Sequence, residues 1–425
     1  MSAQKTWEFL DRHGINAENI VIRYWAEDMC EHMQSALRGE IISMPMIPTY
    51  LSNDGELPKN TSAVVIDAGG TNFRSGIVRF TEDGYELSDL KRTRMPGTDK
   101  PCTWEELISF TADQIEPLLD RADRIGFCFS YEAEITPDMD GRVHDMDKEV
   151  RVTGCEGRLV GASLLEELAR RGITGKRVVV LNDTVAALMG GTATVDKSRF
   201  SGFIGQVSGT GTNTCVSLPA SAIRKLGIDS ERGMIVNTES GLYDGMHGGD
   251  LDAVLDGQSL MPGVKLLEKL SSGVYLGGIC RLLLNDAADT AVVSEETAAL
   301  IRQLGDFDGA TVDAWASGVG LDAVAANHED QEFVIAVCRE LLMRSARCMC
   351  VNLMALALLT GAGTDKNRPI CVCAEGSLVQ KSEIYKRELL RLLIEYCGRM
   401  HGIWFRLLIG SDTTLPGTAA AALLN

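Results

Sequence analysis

Paired cysteines are missing from this chain. Its 12 cysteines fall singly or as Cys348-Met-Cys350 and Cys371-Val-Cys373, so the Cys-x-x-Cys spacing of a zinc site is absent and the thiols read as reduced core residues. Positive charge is short as well. The 41 lysines and arginines against 59 acidic residues leave a formal charge of −18, which argues against a nucleic-acid partner, because that surface needs a basic face to replace condensed counterions. No window approaches the ~18 uninterrupted apolar residues of a membrane span. The opening residues, charged from Trp7 past Arg23 to Arg38, hold no apolar signal core, so a cytoplasmic protein without a membrane partner is expected. Two common nucleotide signatures are also absent. Nothing matches Gly-x-x-x-x-Gly-Lys-Ser/Thr, and Gly209-x-Gly211 lacks the third glycine of a dinucleotide fingerprint.

With 425 residues and 45% hydrophobic content the chain can bury large cores, and its length suggests two domains. Residues up to Gly39 read as helical, before a proline-bearing loop from Pro45 to Pro58. Strands are expected at 63–68, 73–80, 85–94, 124–130 and 177–181, with helices at 103–121 and 161–171. After Asp183 the pattern restarts with a helix to Met189, strands at 201–207 and 213–218, and several helices between 249 and 363. It closes with a strand at 369–374, a helix from Ser382 to Arg399, a strand at 403–409 and an apolar tail from Gly417. The expected division is a helical segment over 1–60, a first α/β domain over 61–182 that takes back the tail 417–425, and a second α/β domain over 183–416. Both domains open alike, which hints at an internal duplication.

The first opening is Ala63-Val-Val-Ile-Asp-Ala-Gly-Gly-Thr-Asn-Phe-Arg74, an interior strand ending beside Asp67, a glycine turn and a return strand. Gly69 and Gly70 permit a tight turn with outward amides, and a carboxylate beside them makes sense if Mg²⁺ or its waters bridge it to a polyphosphate. An ordinary hairpin turn is the plainer reading. The second opening runs through Ser208-Gly-Thr-Gly-Thr-Asn213, again with amides that can face a phosphate, or again a simple turn.

A poised carboxylate lies between them in sequence. Val178-Val-Val-Leu181 is a buried strand, and Asn182-Asp183-Thr184 sits where it turns into a helix, the end of a strand where α/β proteins gather ligands. Asp183 there serves either chemistry or helix capping. Glu239, after a short apolar strand, could share a polar pocket with it; Glu268 in Leu266-Leu-Glu-Lys-Leu270 could too, or could be a surface helix residue.

Taken in order, these segments resemble the eukaryotic-type hexokinases from about residue 60 onward. Asp67-Ala-Gly-Gly-Thr-Asn-Phe-Arg74 is similar to their first phosphate motif, Phe127-Cys-Phe-Ser-Tyr131 to the sugar-side Phe-Ser segment, and Leu181-Asn-Asp-Thr-Val185 to the element bearing the catalytic aspartate. Ser208-Gly-Thr-Gly-Thr-Asn213 resembles the second phosphate motif, and Asn237-Thr-Glu239 the Asn-x-Glu sugar contact. Pro262-Gly263 with Glu268-Lys-Leu-Ser-Ser-Gly-Val-Tyr-Leu-Gly277 resembles the other sugar glutamate and its trailing loop, and Ala374-Glu-Gly-Ser377 the nucleoside-side Asp-Gly-Ser.

The resemblance implies a two-domain actin-like ATPase fold of the ribonuclease H-like class, hinged over a cleft, and phosphoryl transfer from ATP with Mg²⁺ to the 6-hydroxyl of a hexose, with glucose the expected substrate. It implies Asp183 as base and Lys148 beside the reacting hydroxyl. Ser130, Tyr131, Asp147, Asn182, Asn213, Glu239 and Glu268 fall at the sugar. Asp67, Gly69, Gly70, Thr71, Asn72, Arg74, Gly209, Thr210, Gly211, Gly273, Gly376, Ser377 and Thr413 fall at the nucleotide, with Asp67 meeting Mg²⁺ through water. The chain departs from the family pattern at Tyr131-Glu132, at Asp147, at Ser240 and at Thr413-Thr-Leu-Pro-Gly417. The first three border the sugar and leave the preferred hexose open, an amino sugar included; the last alters the adenosine side. A sugar-binding sensor without catalysis is the second reading. His144-Asp-Met-Asp147 reads as a polar hairpin rather than a metal site, and the 16 methionines as core packing.

Overall fold

Ala63 to Ile66 are fully buried, as an apolar run in the middle of a sheet requires. The computed structural model describes residues 3–146 and 150–425. In its first half, five strands lie in the order Arg177–Leu181, Arg124–Phe129, Thr61–Gly69, Asn72–Thr81, Gly84–Arg94. The first three run parallel and the last three form an antiparallel meander. The second half repeats the plan with Gly233–Asn237, Thr212–Pro219, Gly202–Ser208, Ile370–Glu375 and Phe405–Ile409. Numbered in chain order, both sheets read 3-2-1-4-5. One addition distinguishes the second: Ile47–Pro48, from the segment expected to be a loop, pairs antiparallel with Val236 and Asn237 at its edge.

Each half sends one helix across to the other. Asn182 caps the helix Asp183–Thr192, its side chain accepting from the Thr184 amide at 2.8 Å; this helix leaves the first sheet but packs on Gly202–Ser208 and Ile370–Glu375 of the second. The helix Thr414–Leu424 leaves the second sheet and packs on Thr61–Gly69 and Arg124–Phe129 of the first. The two helices touch so closely that a Cβ at Gly417 would lie 1.8 Å from the Ala186 carbonyl oxygen. Only glycine fits there. Around that contact Val65, Cys128, Val185, Leu188, Leu415 and Ala419 form a core shared by both halves.

The tail helix begins earlier than the apolar pattern from Gly417 suggests. Glu375 accepts from the Thr413 amide and hydroxyl and from the Thr414 hydroxyl at 3.2 Å, and that satisfies the helix start. Pro416 falls in the first turn, where a missing N–H costs nothing. In the second half the 33-residue helix His328–Thr360 is long and apolar enough to cross a membrane, but most of it is buried, and Ala3–Arg12 and Ile22–Arg38 pack against it. It is the core helix of that half.

Candidate active site

The two sheets present the same ends of their strands to one cleft. On the first side the hairpin turn follows Gly69, and the Arg74 guanidinium holds Asp67 at 2.7 Å. Burial nonetheless raises the Asp67 carboxyl above its usual range, with Arg74 opposing the shift. Arg74 also bonds Asp412, which precedes the tail helix of the other half, and Arg92 stands 3.8 Å from the same carboxylate. Tyr131 donates its hydroxyl to the Gly70 carbonyl at 2.6 Å, fastening the turn to the segment after Phe129. Ser130 lies so close to Gly69 that a Cβ there would approach its Oγ to 3.1 Å.

On the opposite side, Gly209, Thr210 and Gly211 make the turn between Gly202–Ser208 and Thr212–Pro219. The Gly273 amide donates to the Gly209 carbonyl at 2.7 Å, so the helix Gly273–Asp289 begins directly against this turn. Gly376 has φ +110°, and a Cβ on it would sit 2.3 Å from the Ser208 carbonyl oxygen. These close approaches line up Gly209, Gly376 and Ser377 along one wall.

Between the walls lies Asp183. Its Oδ1 accepts from the Thr184 amide at 2.7 Å and the Thr184 hydroxyl at 3.3 Å. Burial raises its carboxyl, Thr184 opposes, and the charges of Asp67 and Glu375 raise it further. Next to it opens a cavity of about 280 Å³ lined by Ser130, Tyr131, Asn182, Asn213, Asn237 and Glu239, among others. Three of these form one network. Asn213 donates to the Asn237 side chain at 2.9 Å and to Glu239 at 3.4 Å, and Asn237 donates to Glu239 at 2.7 Å. Burial raises the Glu239 carboxyl, Asn237 lowers it, and Asp183 raises it again. Glu239 holds φ +52°, a conformation that bulky residues adopt at a cost of ~1–3 kcal/mol. Glu268, half-buried in the first turn of Leu266–Ser271, accepts from the Thr212 amide at 3.2 Å and so faces the cleft rather than solvent.

The structure thus brings Ser130, Tyr131, Asn182, Asn213 and Glu239 into the lining of one cavity, with Asp183 next to Asn182 and Glu268 beside the lining residue Lys265. Thr413 sits at the start of the tail helix with its hydroxyl engaged by Glu375. Asp147 and Lys148 lie outside the described residues. Sequence reasoning did not single out Lys265, which lines the cavity, nor Glu375 and Asp412. Asn237 stood in a quoted motif, and its place beside Glu239 was the available signal; Lys265 and Asp412 carried none. Among the described residues no group of three or more His, Cys, Asp or Glu side chains could hold a metal by itself.

Family models described as hexokinase match residues 7–193 and 203–424. The chain belongs to the hexokinase family. This hexokinase-family chain is 30% identical over 315 residues to Hexokinase-5 of Oryza sativa subsp. japonica, covering 68% of the chain and 60% of that relative. With Hexokinase-1 of Schizosaccharomyces pombe it shares 26% identity over 418 residues, 90% of the chain and 83% of the relative. Its match to human Hexokinase-3 spans 28% of that longer protein. A hexokinase from Schistosoma mansoni, solved in complex with glucose, superposes with a TM-score of 0.77 at 20% identity, and a second hexokinase crystal structure with 0.81 at 20%, each over 99% of both chains. The shared architecture is the two-domain actin-like ATPase fold.

Proposed function

We propose that this protein is an ATP-dependent hexose kinase that moves the γ-phosphoryl group of ATP to the 6-hydroxyl of a hexose, glucose foremost. One observation carries the reading. Asp183 stands between two glycine turns on one side and the Asn213, Asn237 and Glu239 cluster on the other, close enough that its charge acts on Glu239 and that of Asp67 acts on it. A base between a phosphate cradle and a polyol cavity suits phosphoryl transfer to a sugar hydroxyl.

The turns suit a polyphosphate: a Cβ at Gly69 would press on Ser130 and one at Gly376 on the Ser208 carbonyl, so both keep a tight course that only glycine allows and present backbone rather than side chain to a ligand. Backbone amides of the Gly69 to Thr71 turn and of Thr210 and Gly211 would hold phosphate oxygens, the Gly209 amide being donated to the Gly211 carbonyl, with Arg74 adding charge and Asn72, Gly209, Gly273 and Ser377 bordering the site. Bound with ATP, Mg²⁺ neutralises phosphate charge. Asp67 is the carboxylate that would hold it, through water.

The chain's own residues do the rest. With Oδ1 of Asp183 engaged by Thr184, its Oδ2 takes the proton of the 6-hydroxyl. Its raised affinity for a proton makes it a better base than an exposed aspartate. Glu239 and Glu268 accept from ring hydroxyls while Asn182 and Asn213 orient the ring, because a carboxylate can accept two hydroxyl donors. Lys148 keeps the role that the family resemblance implies. Closure of the two halves on the cleft excludes water as a competing acceptor. A reducing compartment such as the cytoplasm suits the twelve free thiols.

The test is ADP release with ATP and Mg²⁺ over glucose, mannose, fructose, glucosamine and N-acetylglucosamine, with Asp183→Ala in parallel. Turnover on a sugar, lost in the variant, supports the kinase. Binding without turnover on any sugar replaces it with a sensor.

A further inference from the structure

We propose that Lys265 is a positioning residue of the sugar pocket, whose ammonium holds Glu239 and Glu268 as paired acceptors for the hydroxyls of a neutral hexose. The inference rests on the hexose-binding part of the reading above and not on the phosphoryl step.

Lys265 is badly placed for a backbone role. It occupies the N-cap of Leu266–Ser271 with φ 61° and ψ 41°, a left-handed conformation that favours glycine or asparagine. An N-cap also calls for a side chain that accepts a hydrogen bond, which an ammonium cannot do. The side chain explains the position better. It reaches the cavity, remains only 26% exposed, and sets Nζ 3.7 Å from Glu268 Oε1. Glu268 is thereby held from two directions, since its Oε2 takes the Thr212 amide.

The same charge acts on Glu239, where it opposes burial and the repulsion of Asp183 and Glu268. Among the described residues, the ionisable groups around Lys265 include Glu239 after the Gly233–Asn237 strand, Glu268 on its own helix, Glu132 in the same lining, and Asp256 and Tyr275 on the flanking helices. Among these described residues carboxylates outnumber cations. Lys265 is the one cationic side chain among the described lining residues. Without it, repulsion would push Glu239 to hold a proton and turn one acceptor into a donor, which mismatches a hydroxyl pattern that needs two acceptors.

Three variants separate charge from backbone: Lys265→Asn, which suits positive φ but removes the ammonium, Lys265→Met, and Lys265→Arg. Glucose binding to the full chain is followed by calorimetry without nucleotide between about pH 5.5 and 8.5, alongside the ADP-release kinetics. Asn and Met should both weaken glucose by about tenfold near neutral pH, and by more on acidification, because Glu239 then protonates at a higher pH. Arg should recover most of the loss, and the KM for ATP should move far less than that for glucose. Unchanged glucose affinity in Lys265→Asn overturns the proposal, as does a loss in Met that Asn repairs, which would make the position a backbone matter. Failure of the unaltered protein to turn over any sugar, with the Lys265 dependence of binding intact, defeats the kinase reading and leaves this one standing. If glucose does not bind the unaltered protein at all, both fall.

Discussion

The two halves share one strand order and differ in what stands where the fifth strand gives way to its helix. In the first half Leu181 is followed by Asn182 and Asp183; in the second, Ile409 is followed by Gly410, Ser411, Asp412 and Thr413. Asp412 is paired with Arg74 and stands near Arg92, so its charge is spent on holding the halves together. Among the described residues Asp183 accepts from Thr184 and has no ion pair. A duplicated scaffold supplies two similar walls. Which wall does chemistry depends on which carboxylate is left without a cation.

That contrast can be broken most decisively at Asp183. Replacing it with alanine should lower kcat by about 10² to 10⁴, as loss of a general base does, while calorimetry still detects sugar binding; equal losses from Asp412→Ala would erase the distinction. Next in size is Gly417→Ala, which drives a Cβ into the Ala186 carbonyl. It should destabilise the protein by about 2 to 3 kcal/mol, read as a fall in Tm, and an unchanged Tm would mean that the helix contact gives way easily. Glu239→Gln should raise the sugar KM about tenfold and the ATP KM much less. Asp412→Asn should cost about threefold in the KM for ATP, the scale of a half-exposed pair, with the effect shrinking as salt is added.

The smallest effect concerns stability. Burial raises the folded Asp183 carboxyl above its unfolded value, so the folded state binds that proton more tightly. Stability from this group is therefore present below the unfolded value and lost as pH rises through the folded one. Asp183→Asn should raise Tm slightly at neutral pH, and the gain should fade on acidification below the unfolded value. A lower Tm throughout would place Asp183 among structural residues.

Most strand positions were legible because the buried strands are continuous apolar runs such as Val64 to Ile66 and Val178 to Leu181, each closed by glycine or a polar turn. The hairpins at Gly69 and Gly209 were legible for the same local reason, whereas the helix cap weighed for Asp183 falls to Asn182. Long-range pairings were not. Nothing in Ile47-Pro48 announces its partner, Asn237, and nothing in Lys265 announces a left-handed N-cap beside Glu268. The apolar tail is expected from Gly417, but its helix starts at Thr414. Glu375, 38 residues upstream, is what lets a helix start there.

The exchanged helices also bear on how the chain is made. Thr414–Leu424 covers a face of the first sheet, with Thr418 against Gly126 so tightly that a Cβ there would lie 2.3 Å from the carbonyl oxygen. That sheet leaves the ribosome more than two hundred residues before its cover does. During synthesis the apolar face around Ala63, Val65 and Cys128 has to wait uncovered, the kind of surface that chaperones hold and that aggregates if they do not.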